Sequence, residues 1–505
     1  MTPPSAGTNV TIEGIPATGK GSLFIGGVWR APATGRYVPV VDPSTGRPIG
    51  EAPVASAEEA RAAVDAAAER EESWAHVPGH ERSRILRAAA ARLKADRETM
   101  ARLIASEVGK PIVDARVEVD RAVGVYELAA EEIRHLGGES FPADAYALPA
   151  GTERRFLFSV RDPIGVVVAI GPFNFPLNLL SHKIAPALAA GNPVVAKPTS
   201  AAPFTALRLA EHLAAAGIPP GVLNIVVGPG GSVGNTLVEH PRTRLVTFTG
   251  STDVGKGIAE RAGRQAKRVI LEMGGMDPFV VLDDAALDVV VPAAVRGAFG
   301  YSGQVCTASK RLLVQDSLAE KFARALADRA RSLRVGPALD ERTEVGPLID
   351  TAAVERMEHL VEDARSRSAE VLAGGSRPAS PTGGSFYAPT VLDKVPEDAR
   401  VVHEEPFGPL APVVRFSTLD DAVRIANATP YGLQAAVFTR DLARGFRLAK
   451  EIRAGGVHLN DPTNLRWDAL PFGGVKESGL GREGLRYAME EMTEVKLISV
   501  NFAGG

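Results

Sequence analysis

At 505 residues the chain is longer than one hydrophobic core accommodates, and two or three domains are expected. Hydrophobic residues at 45%, charged residues at 23% and a formal net charge of −3 describe an ordinary soluble protein; no polybasic run marks a nucleic-acid or membrane surface, and no apolar stretch is long enough to span a bilayer. The one cysteine, Cys306, excludes an intramolecular disulfide and argues against a cysteine-held metal, so no metal site is expected.

Residues 1–21 are rich in Thr, Gly and Pro without a basic start and apolar run, which reads as a flexible tail rather than a signal peptide, and the protein as cytoplasmic. Leu23–Pro53 has short apolar segments broken by Gly and Pro, the pattern of strands and turns. Ser56 with Glu59 is a capping-box signature, and helical periodicity follows through Arg82–Glu107 and Asp114–Leu136. From Gly165 strand and helix alternate. Strands are expected at Gly165–Ile170, Pro193–Ala196, Val222–Val227, Leu245–Phe248 and Arg268–Leu271, with helices at Leu179–Ala190, Ala201–Ala216, Val233–Glu239 and Val254–Ala262. Near-continuously apolar strands in such an alternation imply an α/β fold with a parallel sheet covered on both faces. A second α/β series begins after Gly274-Gly275: strands at Val280–Leu282 and Arg311–Val314, helices at Leu287–Tyr301, Leu318–Leu333 and Ala352–Arg365, and strands near Ala411–Phe416 and Ala435–Phe438.

Several motifs sit between these elements, each with a plainer reading beside the chemical one. Gly230-Gly-Ser232-Val-Gly234 matches the Gly-x-Ser-x-Gly of hydrolases, although a tight strand-to-helix turn is the better reading, since short motifs recur freely. Thr249-Gly250-Ser251 precedes a helix whose N-terminal N–H groups suit a phosphate. Lys197 ends a strand, where ligands of open α/β sheets bind, or is a solvated surface lysine. Asn174, between Pro172 and Pro176, is a candidate oxyanion donor or a turn residue. Glu272 lies between an apolar strand and a glycine pair, where a raised pKa suits a general base; the alternative is a wet loop carboxylate. Cys306 follows Gly303-Gln-Val among small and polar neighbours, which suits an accessible thiol, although a free cysteine is more often buried and inert.

Taken in order, PFNFP at 172–176, AKP at 196–198, FTGSTDVG at 248–255, LEMGG at 271–275, GQVC at 303–306, EEPFGP at 404–409 and PFGGVKESGLGREG at 471–484 resemble the aldehyde dehydrogenase superfamily from about Phe24 to the C-terminus. The resemblance implies a Rossmann-type cofactor domain over 22–137 and 161–273, an α/β catalytic domain over 274–472 and a β-hairpin oligomerisation element over 138–160 and 494–505, hence a homodimer or homotetramer. It implies that Cys306 is the nucleophile, that Asn174 with the Cys306 N–H forms the oxyanion hole, and that Glu272 is the base for water. Lys197 joins these as a residue of the site and, with Thr199 and Ser200, as a contact of the adenosine ribose. The resemblance further implies cofactor contacts from Ile170, Gly171, Pro172, Phe173, Asn174, Gly230, Gly234, Phe248, Gly250, Ser251, Gly255, Glu272 and Met273, and from Glu405 and Phe407 at the nicotinamide end.

The implied reaction is oxidation of an aldehyde to a carboxylic acid with NAD(P)+. Thiolate attack forms a thiohemiacetal whose oxyanion expels hydride, and water then hydrolyses the thioester. Glu272 favours hydrolysis over transfer to coenzyme A, which the branches lacking this Glu perform. With Thr199 and Ser200 neutral, no carboxylate repels a 2′-phosphate, so NADP+ is expected to be accepted alongside NAD+. The ending Arg486-Tyr-Ala-Met-Glu-Glu-Met-Thr-Glu494 is similar to branches acting on small hydroxy-, phospho- or semialdehydes. Arg121 and Arg466 are candidates to meet an anionic tail, or are a helix-face salt bridge and a loop charge. His182 stands where succinic-semialdehyde members tend to carry Arg, Met276 stands where a polar residue is common, and Val305 is expected at the site mouth, where it excludes an arginine clamp. Two other classes compete: a thiol or serine esterase without redox turnover, the serine form acting through Ser232, and a non-catalytic binding protein on the same fold.

Overall fold

The strands Val166–Ile170 and Val194–Lys197 are buried along their whole length and Thr243–Thr249 at every residue but Arg244, so each must be covered on both faces, and helices cover them. The computed structural model describes residues 13–145, 154–378 and 383–502. In its first sheet five parallel strands lie in the order Arg268–Glu272, Thr243–Thr249, Val166–Ile170, Val194–Lys197 and Leu223–Ile225. Numbered along the chain this is the doubly wound order 3-2-1-4-5, whose direction reverses between Val166–Ile170 and Thr243–Thr249. Antiparallel strands Leu23–Ile25 and Val28–Arg30 extend one edge, and Gly479–Leu480 pairs with Arg268–Glu272 at the other. The second sheet carries Glu370–Ala373, Thr390–Asp393, Leu410–Phe416, Arg311–Gln315, Pro278–Val281, Gln434–Phe438 and Gly456–Leu459, with only the first antiparallel. Its pleat divides the core: Val280 and Leu313 pack into one cluster, Phe279, Val281, Leu312 and Val314 into the other.

Ser56 and Glu59 make the reciprocal capping box at the start of the helix Ala57–Ala68. The long helical stretch after it breaks at Asp96 into Gly79–Ala95 and Arg97–Val108. The helix expected to run to Tyr301 stops at Phe299, because Tyr301, Ser302 and Gly303 take positive φ of 46°, 55° and 70° in succession. The strands Glu370–Ala373, Thr390–Asp393 and Gly456–Leu459 and the helices Leu419–Asn427 and Leu442–Glu451 belong to the second layer system without having been anticipated. A third, antiparallel sheet joins Ser140–Phe141, Arg155–Pro163 and Thr493–Asn501, the last two paired over nine residues each. Part of the expected hairpin, 146–153, lies outside the described residues. Among the described residues no helix is long and apolar enough to cross a membrane.

Candidate active site

At the reversal point of the first sheet the carboxyl ends of two strands diverge and leave a groove of about 730 Å³ that runs from Lys197 to Cys306. Ile170, Gly171, Pro172, Phe173 and Asn174 follow the first of these strands into the groove; Phe248, Gly250 and Ser251 follow the second. Lys197, Thr199, Ser200, Gly230 and Gly234 line one end, and Met273, Glu405 and Phe407 line the other. Of the expected cofactor contacts, Gly255 and Glu272 do not line it. A Cβ on Gly255 would stand 2.3 Å from the Met273 sulfur, so this glycine lets the wall close from behind. Sequence reasoning missed Asp253, Gly257, Arg261 and Arg356 on the wall; the periodicity of their helices held no sign of which face meets the groove.

The groove suits a dinucleotide on its own features. The helix Thr252–Gly263 starts at Ser251 without a side-chain cap, leaving its N-terminal donors to a phosphate. Gly230 and Gly231 have nothing within 4 Å where a Cβ would stand. The Thr249 hydroxyl is buried with no partner. Lys197 is 7% exposed, its ammonium reaches only the Pro198 carbonyl at 3.3 Å, and burial lowers its pKa to about 8. It is therefore no solvated surface lysine, and a ligand hydroxyl or phosphate would complete its bonding.

Cys306 opens onto this groove from a strained loop. Gly303 permits the turn, since a Cβ there would overlap the Gly408 carbonyl at 2.1 Å. The Ser302 hydroxyl donates to the Gly346 carbonyl at 2.8 Å, the Tyr301 hydroxyl to the Val108 carbonyl at 3.2 Å, and the Ile349 N–H to Gln304 Oε1 at 2.9 Å. Asn174 is 2% exposed; its Nδ2 donates to the Gln304 carbonyl at 3.1 Å while its Oδ1 accepts the Phe175 N–H at 3.1 Å. That pair of bonds fixes the amide's orientation and leaves the second N–H free for an oxyanion. Val305, expected at the mouth, is instead 8% exposed and packs into the first core, because the loop's turn faces the Cys306 side chain outward and its neighbour inward. Burial pushes the Cys306 thiol up to about 12, with Lys310 pulling it down and Asp277 pushing it up.

Glu272 is 3% exposed and neither carboxylate oxygen has a partner. Burial, then the Glu483 carboxylate, holds its pKa well above the usual range against the pull of Arg466 and Lys183. The wet-loop alternative is excluded. Gly274 and Gly275, which follow it, serve Glu405: a Cβ on Gly274 would stand 2.4 Å from Glu405 Oε2, and the Gly275 N–H donates to Glu405 Oε1 at 3.2 Å. Met276 is 1% exposed, and its carbonyl accepts Arg311 Nε at 2.7 Å.

Beside Glu272 lies a charged cluster. Arg121 binds Asp468 through two bonds of 3.1 and 2.6 Å, His182 reaches the same carboxylate at 2.9 Å, and Arg466 lies 3.7 Å from it. Arg466 also donates to Glu483 at 3.0 Å, rests 3.9 Å over the Phe472 ring, and keeps a buried Nε with no hydrogen bond among the described residues, only the 3.7 Å approach to Asp468. Lys183 donates to Glu483 at 2.6 Å. Arg121 therefore pairs across the fold rather than along its helix, and Arg466 is no surface charge. Burial, then Arg466, lowers the His182 pKa and keeps the ring neutral.

The sequence model of the aldehyde dehydrogenase family matches residues 29–498. The chain belongs to the aldehyde dehydrogenase family. It is 40% identical over 477 residues to the NADP(+) succinate-semialdehyde dehydrogenase of Escherichia coli, covering 94% of this chain and 97% of that one. It is 39% identical over 483 residues to the 3-sulfolactaldehyde dehydrogenase of Pseudomonas putida, covering 96% and 97%. Among solved structures it is similar to the glyceraldehyde-3-phosphate dehydrogenase of Methanocaldococcus jannaschii complexed with NADP, with a TM-score of 0.87, 40% identity and coverage of 92% and 99%. This aldehyde dehydrogenase is an oxidoreductase that oxidises an aldehyde with NAD(P)+. The esterase reading has no support at Ser232, which is exposed on a short helical turn of the groove wall with no histidine or carboxylate bonded to it among the described residues.

Proposed function

We propose that this aldehyde dehydrogenase oxidises a small aldehyde with an anionic tail to the free acid, accepting NADP+ alongside NAD+. The observation that carries the hydrolytic half is Glu272: a buried, unpartnered carboxyl close enough for its charge to act on Cys306. The anionic tail is supported by the cluster beside it, where Arg121, Arg466 and Lys183 outnumber Asp468 and Glu483 while His182 stays neutral. Three of the relatives, the succinate-semialdehyde, 3-sulfolactaldehyde and glyceraldehyde-3-phosphate dehydrogenases, are named for aldehydes that carry a carboxylate, a sulfonate or a phosphate.

In the proposed cycle the Cys306 thiol loses its proton to bulk water and its sulfur bonds to the carbonyl carbon. Asn174 Nδ2 and the Cys306 N–H hold the resulting oxyanion. NAD(P)+, when bound, supplies the hydride acceptor. Glu272 then removes a proton from water, whose oxygen attacks the thioester, and the acid leaves Cys306 as a thiol. Residues 22–137 and 161–273 would serve the cofactor and 274–472 the nucleophile. Residues 138–160 and 494–505 would join copies into a homodimer or homotetramer, supported by the exposed Val495 and Leu497 on the edge strand Thr493–Asn501. A cytoplasmic setting suits a nucleophile that must remain a reduced thiol.

A panel of aldehydes with and without anionic tails, read as NAD(P)H absorbance with each cofactor, tests this. Anionic members are expected to show the higher kcat/KM, and Arg121→Gln to lower it roughly 10–100-fold for them alone, as for lost charge-assisted bonds. Equal turnover of neutral and anionic aldehydes, or no acyl adduct on Cys306 in quenched mixtures, would overturn it.

A further inference from the structure

Lys310 lies four residues beyond Cys306 in the loop, and its side chain is 2% exposed. Its ammonium donates to the main-chain carbonyl of Cys306 and, at 2.6 Å, to Oε1 of Glu405. A buried ammonium costs desolvation that an apolar side chain of the same length would avoid, so packing alone does not account for it. Held by one carbonyl and one carboxylate, it is a charge with a fixed position beside the nucleophile.

Four charged groups act on the Cys306 sulfur. Lys310 and Arg466 favour the thiolate, with Lys310 the stronger; Asp277 and Glu272 oppose it. Arg466 is already committed to Glu483, at 3.0 Å, and to Asp468. Lys310 faces two carboxylates of its own: the buried Asp277 and Glu405. Only Glu405 also lines the groove, and besides Lys310 it holds just the Gly275 N–H at 3.2 Å. One carboxylate thus stands between the cation behind the sulfur and whatever fills the groove.

We propose that Lys310 is the positioning residue that readies the Cys306 sulfur for attack, and that Glu405 masks its charge until a ligand in the groove draws that carboxylate away. No bond to Lys310 forms or breaks; the sulfur's proton leaves to water, and Lys310 stabilises the anion that remains. The proposal rests on Cys306 being the nucleophile.

Cys306 is the chain's single thiol, so alkylation of the full-length protein by iodoacetamide reports on it alone. Without ligand at pH 8, Lys310→Met is expected to alkylate about three- to tenfold more slowly than wild type, the range allowing for the greater nucleophilicity of a more basic thiolate. Lys310→Arg is expected to restore most of that rate. Glu405→Gln, which removes the mask, is expected to alkylate faster than wild type, and saturating NADP+ to accelerate wild type more than Lys310→Met. A wild-type rate in Lys310→Met, equal acceleration of both by NADP+, or slowing in Glu405→Gln would overturn the proposal; the last would mean that both residues only hold the loop. Should Lys310→Met fail to fold, the direction of the Glu405→Gln effect decides alone. Failure of the nucleophile reading is separate, since it shows as a missing acyl adduct whatever the alkylation rates.

Discussion

Glu272→Gln divides the reaction into its two halves. The substitution keeps the shape of the side chain and breaks no hydrogen bond, because both oxygens of Glu272 are unpartnered. It exchanges one buried polar group for another, and stability is expected to stay within about 2 kcal/mol of wild type. A general base contributes roughly 10²–10⁴-fold, or about 3–5 kcal/mol of barrier. No neighbour can take over: Glu483 is tied to Lys183 and Arg466 and held down to about 2, so it is too weak a base. The loss should therefore fall in the upper part of that range. In a stopped-flow experiment the variant is expected to release close to one equivalent of NAD(P)H per Cys306, then to turn over about 10³–10⁴-fold more slowly than wild type. Wild-type turnover is expected to climb with pH, since the base form exists only above the raised pKa of Glu272, and the variant to lose that limb. Steady-state turnover within about threefold of wild type, or a burst lost together with it, would refute the reasoning.

Asn174→Ala removes one oxyanion donor and is expected to slow the burst itself by about 10²–10³-fold, with the KM for NADP+ little changed. Lys197→Ala is expected to raise the KM for NADP+ more than that for NAD+, measured at saturating aldehyde, because the lost cation can meet the 2′-phosphate. Glu483 is depressed from 4.5 to about 2 by Lys183 and Arg466 against the cost of burial. Its contribution to stability is present above 4.5 and lost as pH falls toward 2, by up to about 3 kcal/mol. Urea midpoints of wild type and Glu483→Gln are therefore expected to differ at pH 6 and to draw together as pH falls from 4.5 toward 2.

The parallel sheet was legible because strands buried on both faces must be apolar at every position, as in Val166–Ile170. The order of those strands was not, since it depends on the side to which each crossover turns. Gly456–Leu459 escaped notice because it is only half-buried and carries no apolar run. Cys306, Glu272 and Asn174 could be named from ordered motifs, and the structure brings Cys306 and Asn174 to one end of the groove with Glu272 behind it. What stayed hidden is pairing. Lys310 and Asp277 bear no mark in the sequence of being buried, and Glu405 lies 95 positions from Lys310. Arg466 fitted neither of its two readings alone: it is buried, stacked on Phe472 and paired, yet keeps one donor without a hydrogen bond among the described residues.

Three consecutive left-handed residues before Cys306 are costly, at about 1–3 kcal/mol for each of the two that are not glycine, and such a loop persists only where its surroundings over-determine it. One buried ion pair does much of this. The Lys110 ammonium lies 3.5 Å from the centre of the Phe175 ring and 4.4 Å from that of Tyr301, and it pairs with Glu118. Glu118 Oε1 in turn accepts the N–H groups of Leu177, at 2.9 Å, and Asn178, at 3.1 Å, at the start of the helix Asn178–Ala189. Phe175 adjoins Asn174, and Tyr301 opens the loop that ends in Cys306. The same two charges thus hold Asn174 and Cys306, the proposed oxyanion donor and nucleophile, which follow strands of different sheets, in one register. A pair that does not line the groove supports the approach of Asn174 to the Cys306 loop, alongside the direct bond from Asn174 to the Gln304 carbonyl at 3.1 Å.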